Sequence, residues 1–294
     1  MHIKVGTRSS RLALWQTNFV IEKLQKQFPQ HTFEIVEIHT KGDKIQDVSL
    51  QKIGDKGVFV KEIEDCLLRQ EIDMAVHSMK DMPSMLPEGL CFTKTLVRED
   101  ARDVLIVRDG ICLKDIKEPI LGTGSVRRSV QLKQCIKNVI IKDIRGNVDT
   151  RLRKLDEGLY DGIVMAAAGI KRLGLENRIT QYFEPEEIIP ASAQGALAIE
   201  VHKNHHELIT MLNAISDQES HACVMVEREF LRVMQGSCHV PIGVYCRKID
   251  GQYCLDAMYG EDEAHVVIFH GVHADKKELL SQAIQAMKGS GYHG

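Results

Sequence analysis

The sequence contains few aromatic residues, and none of its apolar runs is long. Aromatic side chains make up 5% of the 294 residues, with one tryptophan, so few platforms exist on which nucleic acid bases could stack. The net charge of −3 gives no overall attraction to nucleic acid or to an acidic membrane. No basic segment followed by an apolar stretch opens the chain, and no run approaches the roughly 20 apolar residues of a membrane-spanning helix. We therefore expect a cytoplasmic protein that binds neither nucleic acid nor membrane.

Metal and redox motifs are also missing. The eight cysteines include no Cys-x-x-Cys pair, so neither a zinc ribbon nor a thioredoxin-type site is expected. Without a secretion signal, reduced thiols are the expectation. His77, at the end of a predicted strand, has no second ligand at metal-binding spacing. We expect it to be a hydrogen-bonded strand residue, and we expect no metal site.

The order of predicted elements indicates an α/β protein. A length of 294 residues allows two or three domains. Two successive blocks, divided near residue 100, alternate apolar strands with helices, which is typical of parallel sheets covered on both faces. From about Asp217 the pattern changes to a helix, three strands and a closing helix. The sequence predicts two doubly wound α/β lobes followed by a small α+β domain.

Arginines follow several of the predicted strands. Arg8 follows the first strand, and Arg127 and Arg128 follow Gly122-Thr123-Gly124-Ser125, where a helix begins. Between residues 122 and 178 there are twelve Lys or Arg against six Asp or Glu. Guanidinium groups pair with carboxylate or phosphate oxygens, and helix N-termini add free amides. A polyanionic ligand is expected, but not a dinucleotide, because Arg127 replaces the third glycine of that fingerprint and no phosphate-loop lysine motif is present.

Two other side chains have the chemistry of reactive groups. Cys238 lies in the tight segment Gly236-Ser237-Cys238-His239-Val240-Pro241-Ile242-Gly243, where it is a thiolate nucleophile, a covalent anchor or a small buried hydrophobic residue. Asp81 stands between Lys80 and a Met-Pro pair. Its carboxylate either stabilises a cation that develops in a substrate and moves its proton, or caps a turn. The residues alone leave these alternatives open.

Over essentially its full length the chain resembles the porphobilinogen deaminase family, also called the hydroxymethylbilane synthases. Matching segments include Ala75-Val76-His77-Ser78-Met79-Lys80-Asp81, Arg145-Gly146-Asn147-Val148 and the cysteine segment. The resemblance implies a transferase of haem and tetrapyrrole biosynthesis. It would join four porphobilinogen molecules head to tail with loss of ammonia and release hydroxymethylbilane. It also implies a dipyrromethane cofactor, made from two substrate units and attached to Cys238 through a thioether.

The same resemblance implies a role for each strand-end residue. Asp81 would be the catalytic residue, assisting loss of the amino group and stabilising the azafulvene and pyrrole cations. The residues implied to hold the cofactor are Cys238, Lys80, Asp81, Thr123, Ser125, Arg127, Arg128, Arg145 and Gly146. Those implied to bind substrate are Arg8, Ser10, Arg145, Arg151, Arg172 and Gln194. Lys52 and Lys56 would lie on a mobile loop, residues 41–57, over the active site.

The family fold has three domains, and the first two resemble the lobes of type II periplasmic binding proteins. It implies domain 1 at residues 1–96 and 194–215, domain 2 inserted at 97–193, and domain 3 at 216–294, in a monomer. The chain departs from the family at Gly124, where many relatives have serine, and at Ser237 and His239, where glycine and glutamine are frequent. The alternative is a non-catalytic two-lobed module that binds a polyanionic small molecule. Such a module would have no use for Cys238 or Asp81.

Overall fold

The computed structural model describes residues 1–40, 60–234, 240–260 and 265–289. Cys238, its neighbours Ser237 and His239, and the loop lysines Lys52 and Lys56 lie outside the described residues. The predictions made for these five residues therefore stay predictions.

The described residues form strands and helices in the following order. The strands are β1 (His2–Thr7), β2 (Thr32–Glu37), β3 (Met74–Ser78), β4 (Leu90–Phe92), β5 (Asp103–Val107), β6 (Ile120–Gly122), β7 (Ile140–Lys142), β8 (Gly162–Ala166), β9 (Gln181–Tyr182), β10 (Leu197–His202), β11 (Ile242–Ile249), β12 (Gln252–Gly260) and β13 (Val266–His273). The helices are α1 (Arg11–Gln27), α2 (Lys61–Leu68), α3 (Val126–Cys135), α4 (Val148–Asp156), α5 (Ala167–Arg172), α6 (His206–Ala214), α7 (Gln218–Val233) and α8 (Lys276–Gly289). None of these described helices combines the length and apolarity that a membrane crossing requires.

The chain forms two compact units. The first contains Met1–Glu99 and Ala196–His221, and the second contains Asp100–Gly195 and Ala222–Gly294. The chain thus leaves the first unit and returns to it. The domain limits at residues 97, 194 and 216 stay a prediction, because this division groups the chain into two units.

The first unit is built on a five-stranded sheet of order β2-β1-β3-β10-β4. Strands β1, β2 and β3 are parallel, whereas β10 runs antiparallel to β3 and to β4. The predicted parallel pairing is confirmed for β1, β2 and β3 and is wrong for the returning strand β10, which enters in the opposite direction. Helix α1 begins directly after Ser10, whose Oγ accepts the N–H of Ala13 at 3.3 Å. Its buried Val20 and Leu24 pack in the core of this unit with residues of the sheet.

The second unit contains a second five-stranded sheet, of order β7-β6-β8-β5-β9. Strand β6 is parallel to β7 and β8, and β5 is antiparallel to β8 and pairs with β9. This sheet is also mixed rather than parallel, because β5 enters from the opposite end. In the register, Gly122 pairs with Lys142 on one side and with Ile163 on the other. The carboxyl ends of β6, β7 and β8 therefore meet at one edge of the sheet.

A third, smaller sheet also belongs to the second unit. Strands β11, β12 and β13 form an antiparallel meander. Phe230 of α7, Leu255 of β12 and Leu279 of α8 are fully buried in a common core cluster. This is the predicted α+β module. The predicted fold class, two α/β lobes with a small C-terminal α+β domain, is confirmed.

Candidate functional site

The carboxyl ends of the parallel strands β1 and β3 hold one group of predicted site residues. Strand β1 ends at Thr7 and β3 ends at Ser78, and the two strands are hydrogen-bonded neighbours with Gly6 opposite Ala75. Residues that follow parallel strands meet at the same edge of a sheet, where α/β proteins place ligands. We call this group the first edge: Arg8, Ser10, Lys80 and Asp81.

The turn that carries Asp81 is fixed by its buried neighbours. Residues Met79–Asp81 form one turn of 3₁₀-helix directly after β3. The N–H of Met79 donates to the carbonyl of Ala196 at 3.0 Å, and the N–H of Met82 donates to the carbonyl of Met79 at 3.2 Å. Both methionines are buried, while Asp81 is exposed. The sequence therefore presents a carboxylate to solvent on backbone that two buried side chains anchor.

A second group lies at the edge formed by β6 and β7. Ser125 caps α3, its Oγ accepting the N–H of Arg128 at 3.4 Å. The N–H of Ser125 donates to Thr123 Oγ1 at 3.2 Å, and the N–H of Thr123 donates to the carbonyl of Lys142 at 3.0 Å. These bonds tie the start of α3 to the end of β7. The first amides of α3 have no acceptor within the helix, so this end favours an anion.

Arg127 and Arg128 are buried and share one carboxylate. Arg127 Nη1 lies 2.7 Å from Asp103 Oδ2, and Arg128 Nη2 lies 2.7 Å from Asp103 Oδ1. Burial alone would raise the pKa of Asp103, but the two guanidinium groups outweigh burial and hold that pKa well below its ordinary value. The cluster keeps one net positive charge. Sequence reasoning missed Asp103, although an aspartate that opens the apolar strand β5 was a visible signal of a buried partner.

Gln194 and Arg172, both predicted to bind substrate, lie inside the second unit. Gln194 is fully buried and its Nε2 donates to the carbonyl of Ala101 at 2.7 Å and to Asp103 Oδ1 at 2.9 Å. Arg172, also buried, donates through Nη2 to the carbonyl of Gly195 at 2.6 Å. The structure thus brings Gln194 to the buried arginine cluster and places Arg172 against the neighbouring backbone.

The connection from β7 to α4 carries the remaining predicted cations. Arg145 Nε donates to Asp143 Oδ2 at 2.9 Å, and its side chain is 26% exposed. Arg151 Nε donates to the carbonyl of Gly146 at 2.8 Å. Gly146 has φ +112°, and a Cβ there would lie 2.6 Å from Thr150 Cγ2, so the turn requires glycine. We call this group the second edge: Thr123, Ser125, Arg145, Gly146 and Arg151.

His77 differs from its prediction. It is buried on β3, but its Nε2 has no hydrogen bond and lies 3.3 Å from Oε2 of the fully buried Glu200. The prediction of a hydrogen-bonded strand residue is not met at Nε2, since β10 brings Glu200 Oε2 to 3.3 Å without a hydrogen bond. Among the described residues, no group of three or more His, Cys, Asp or Glu side chains could hold a metal ion.

The side chains of the first edge and the second edge together indicate a class of protein. Each places cations at the carboxyl ends of parallel strands, and the first adds an exposed carboxylate on a rigid turn. Arginines at such positions select carboxylates or phosphates. A carboxylate beside them can hold or transfer a proton. The fold and these residues are those of an α/β protein suited to a small polyanion, with a candidate acid–base group.

Comparison with protein families gives the particular family. Residues 3–210 match the model described as "Porphobilinogen deaminase, dipyromethane cofactor binding domain", and residues 221–285 match "Porphobilinogen deaminase, C-terminal domain". The chain belongs to the porphobilinogen deaminase family. The resemblance noted from the sequence is confirmed, and the cofactor assigned to that first domain is the one that the resemblance implied.

Individual relatives agree with the family match. The chain is 48% identical over 277 residues to the porphobilinogen deaminase of Clostridioides difficile strain 630, covering 94% of this chain and 92% of the relative. It is 51% identical over 245 residues to that of Bacillus subtilis strain 168, covering 83% of this chain and 78% of the relative.

Solved structures of periplasmic domains overlap the chain more weakly. The periplasmic VFT2 domain of BvgS from Bordetella pertussis gives a TM-score of 0.43 at 16% identity, covering 78% of this chain and 92% of that one. A periplasmic binding protein of Salmonella typhimurium with high arginine specificity gives 0.38 at 15% identity, covering 78% and 97%. Scores this low carry no argument about function.

The residues of the second unit fit a group that bears carboxylates. Thr123 and Ser125 offer hydroxyl groups beside the first turn of α3, whose amides favour an anion. The cluster of Arg127, Arg128 and Asp103 adds one net positive charge. A dipyrromethane with acetate and propionate side chains meets those requirements. Its attachment point, Cys238, lies outside the described residues.

Proposed function

We propose that this protein is a working porphobilinogen deaminase, a transferase of haem biosynthesis. It condenses four porphobilinogen molecules head to tail, releases ammonia at each step and frees hydroxymethylbilane by hydrolysis. The observation that carries the proposal is the exposed Asp81, anchored beside Lys80 on a fixed turn in a chain that belongs to this family. The alternative, a binding module without catalysis, leaves that carboxylate without a task.

Asp81 is proposed to act where charge develops. When the C–N bond of the protonated aminomethyl group breaks, its electron pair leaves with the nitrogen, which departs directly as ammonia. The methylene carbon becomes cationic, and the pyrrole ring shares that charge. A carboxylate next to the ring stabilises the cation and holds the proton of the pyrrole nitrogen. The α-carbon of the growing chain then forms the new C–C bond and loses its proton.

The cations are proposed to bind the carboxylates of the pyrroles. Each unit carries an acetate and a propionate group, so a planar guanidinium is a matched partner. When bound through Cys238, the dipyrromethane supplies the pyrrole carbon to which the first unit is joined. The residues proposed to hold it are Lys80, Asp81, Thr123, Ser125, Arg127, Arg128, Arg145 and Gly146. Those proposed to bind substrate units are Arg8, Ser10, Arg145, Arg151, Arg172 and Gln194.

The test of the catalytic role is Asp81→Asn, which keeps the size of the side chain and removes its charge. We expect turnover of porphobilinogen to fall by at least about 10²-fold, the lower range for a positioned acid–base group. Asp115→Asn is the matched control, because Leu113–Asp115 is also a 3₁₀ turn with Lys before an exposed Asp. Equal activity of Asp81→Asn and the control would contradict the role.

Covalent attachment is tested by the intact mass of the denatured protein. We expect an excess equal to two linked pyrrole units, absent from Cys238→Ser. A bare mass that does not change after incubation with porphobilinogen would favour the binding-module alternative. We further propose a cytoplasmic monomer with three domains at the limits given above, and light scattering of the purified protein tests the monomer.

A further inference from the structure

Arg145, one of the cations proposed to bind substrate, already has a carboxylate partner in its own chain. Its Nε donates to Asp143 Oδ2 at 2.9 Å. Among the described residues, this is the one hydrogen bond of its guanidinium group. The side chain of Asp143 is 51% exposed, so the bond is not locked by burial. Its presence beside a substrate-binding cation needs an explanation.

The side chain of Asp143 fits in its position because residue 124 is glycine. A Cβ built on Gly124 would lie less than 3.0 Å from Asp143 Oδ1, closer than real Cβ atoms approach. A side chain at 124 would therefore displace the carboxylate of Asp143. The loop before α3 and the connection after β7 are coupled at this point, and Gly124 permits the contact.

The backbone on both sides of Asp143 is held in place. Tyr160 Oη donates to the carbonyl of Asp143 at 2.7 Å, and Lys154 Nζ donates to the carbonyl of Arg145 at 3.1 Å. These bonds hold the main chain, while both ends of the ion pair remain partly exposed. Asp143 can thus rotate away from Arg145 without a change in the fold.

We propose that Asp143 is an internal counter-ion of Arg145, which a substrate carboxylate must displace or repel before Arg145 binds it. The inference rests on the proposed function, since it assigns porphobilinogen as that carboxylate's source. Asp143 thereby lowers the affinity of Arg145 for every anion by a common factor. A common factor leaves the preference between ligands unchanged. Asp143 and Gly124 are then residues that set the affinity of Arg145 for carboxylates.

The size of the effect follows from Coulomb's law. Two carboxylates on one guanidinium group lie on the order of 5 Å apart, and water reaches both, so a dielectric constant near 80 applies. The repulsion then weakens anion binding by roughly fourfold, and salt reduces the factor. Asp143 also holds the Arg145 side chain in one orientation, which favours anion binding and so acts against the repulsion. This ordering is the smaller effect, since exposed pairs of this kind contribute little.

Two variants remove the counter-ion by different means. Asp143→Asn removes its charge, and Gly124→Ala displaces it through the added Cβ. Asp143→Asn should lower KM for porphobilinogen by roughly twofold to fourfold without raising kcat. Gly124→Ala should lower KM by a smaller factor, because the displaced carboxylate keeps its charge, and the double variant should not exceed Asp143→Asn. Glu157→Gln is the charge-matched control. Glu157 also pairs with an arginine between β7 and β8, but that arginine, Arg153, is exposed and is not proposed to bind substrate. The control should leave KM unchanged.

Binding of inorganic sulfate, followed through thermal stability, tests the inference without turnover. Both variants should bind sulfate more tightly than the wild type, and Asp143→Asn should do so by the larger factor. An unchanged or weaker affinity, or a raised KM, would overturn the inference and make Asp143 an orienting group. If the wild type does not consume porphobilinogen while the sulfate result holds, the proposed function fails and the counter-ion role stands.

Discussion

Glu64→Gln should change how the stability of the first unit depends on pH. Glu64 lies on α2 and is 8% exposed, and its Oε1 is buried without a hydrogen bond. Burial raises the pKa of Glu64 to about 7, and the negative charges of Glu200 and Asp65 add to the rise. The wild type therefore keeps a buried carboxyl group that is neutral in acid and carries an uncompensated charge above neutral pH.

The sign follows from comparing the folded and unfolded chains. A carboxyl whose folded pKa lies above its unfolded value stabilises the fold in its protonated form, below about pH 4.5. That contribution is lost as the pH rises through about 7. The difference between about 7 and 4.5 converts, at 1.36 kcal/mol per pH unit, to about 3 kcal/mol. Residual access of water reduces this to about 1–2 kcal/mol. A glutamine at position 64 does not ionise, so the variant does not lose this stability as the pH rises.

The assay is urea unfolding followed by the fluorescence of Trp15. This is the single tryptophan of the chain and lies on α1, so its signal reports the first unit. The measured quantity is the free energy of unfolding of Glu64→Gln minus that of the wild type. We expect this difference to be about 1–2 kcal/mol larger at pH 8 than at pH 5. A difference that does not change with pH would refute the reasoning.

Glu71→Gln provides a control of opposite sign. A hydrogen bond from Arg69 lowers the pKa of Glu71, so its contribution is present above its ordinary pKa and is lost as the pH falls. This variant should lose stability at neutral pH and become equal to the wild type in acid. If both variants responded to pH in the same way, the effect would come from overall charge.

Three further changes test the second unit, by calorimetry of its unfolding. Asp103→Asn should lower the free energy of unfolding by about 3–5 kcal/mol, because two buried guanidinium groups lose the negative charge that they share. A decrease below about 1 kcal/mol would contradict that pairing. Glu227→Gln should cost about 2–3 kcal/mol, because both carboxylate oxygens accept buried backbone N–H groups, and no change would show that these bonds are dispensable. Gly146→Ala should cost about 1–3 kcal/mol through strain at positive φ, whereas Gly289→Ala, in open space, should cost nothing.

Local patterns predicted the strands and helices of the lobes well, but not the direction of every strand. Strands β5 and β8 are each a short apolar run between polar residues, a pattern that predicts strands from the sequence. Helix α6 was missed, although its buried Leu208, Met211 and Leu212 have helical spacing. The directions of β5 and β10 depend on how distant segments pair, and periodicity contains no such information.

The sequence predicted where the site residues lie along the strands. It did not predict which side chains pair with them. Strand-end arginines and Asp81 could be found because parallel strands place their carboxyl ends together. The carboxylates that bind those arginines could not: Asp103 meets Arg127 across 24 residues of sequence and meets Gln194 across 91. A charge pattern along the chain shows cations and acids. It does not show which of them are paired when the chain folds.

The pairing separates the arginines of the second unit into two kinds. Arg127 and Arg128 are buried around Asp103, and moving a buried charge is costly, so their net charge stays in place whatever ligand is present. Arg145 is partly exposed and has an exposed partner, so its pairing can change at small cost. A cofactor that stays bound requires fixed charges, whereas substrate units that are added in turn require contacts that form and break. On the proposed function, the buried arginine cluster would suit the fixed primer, and the partly exposed Arg145, assigned to both ligands, would suit the carboxylates of added units.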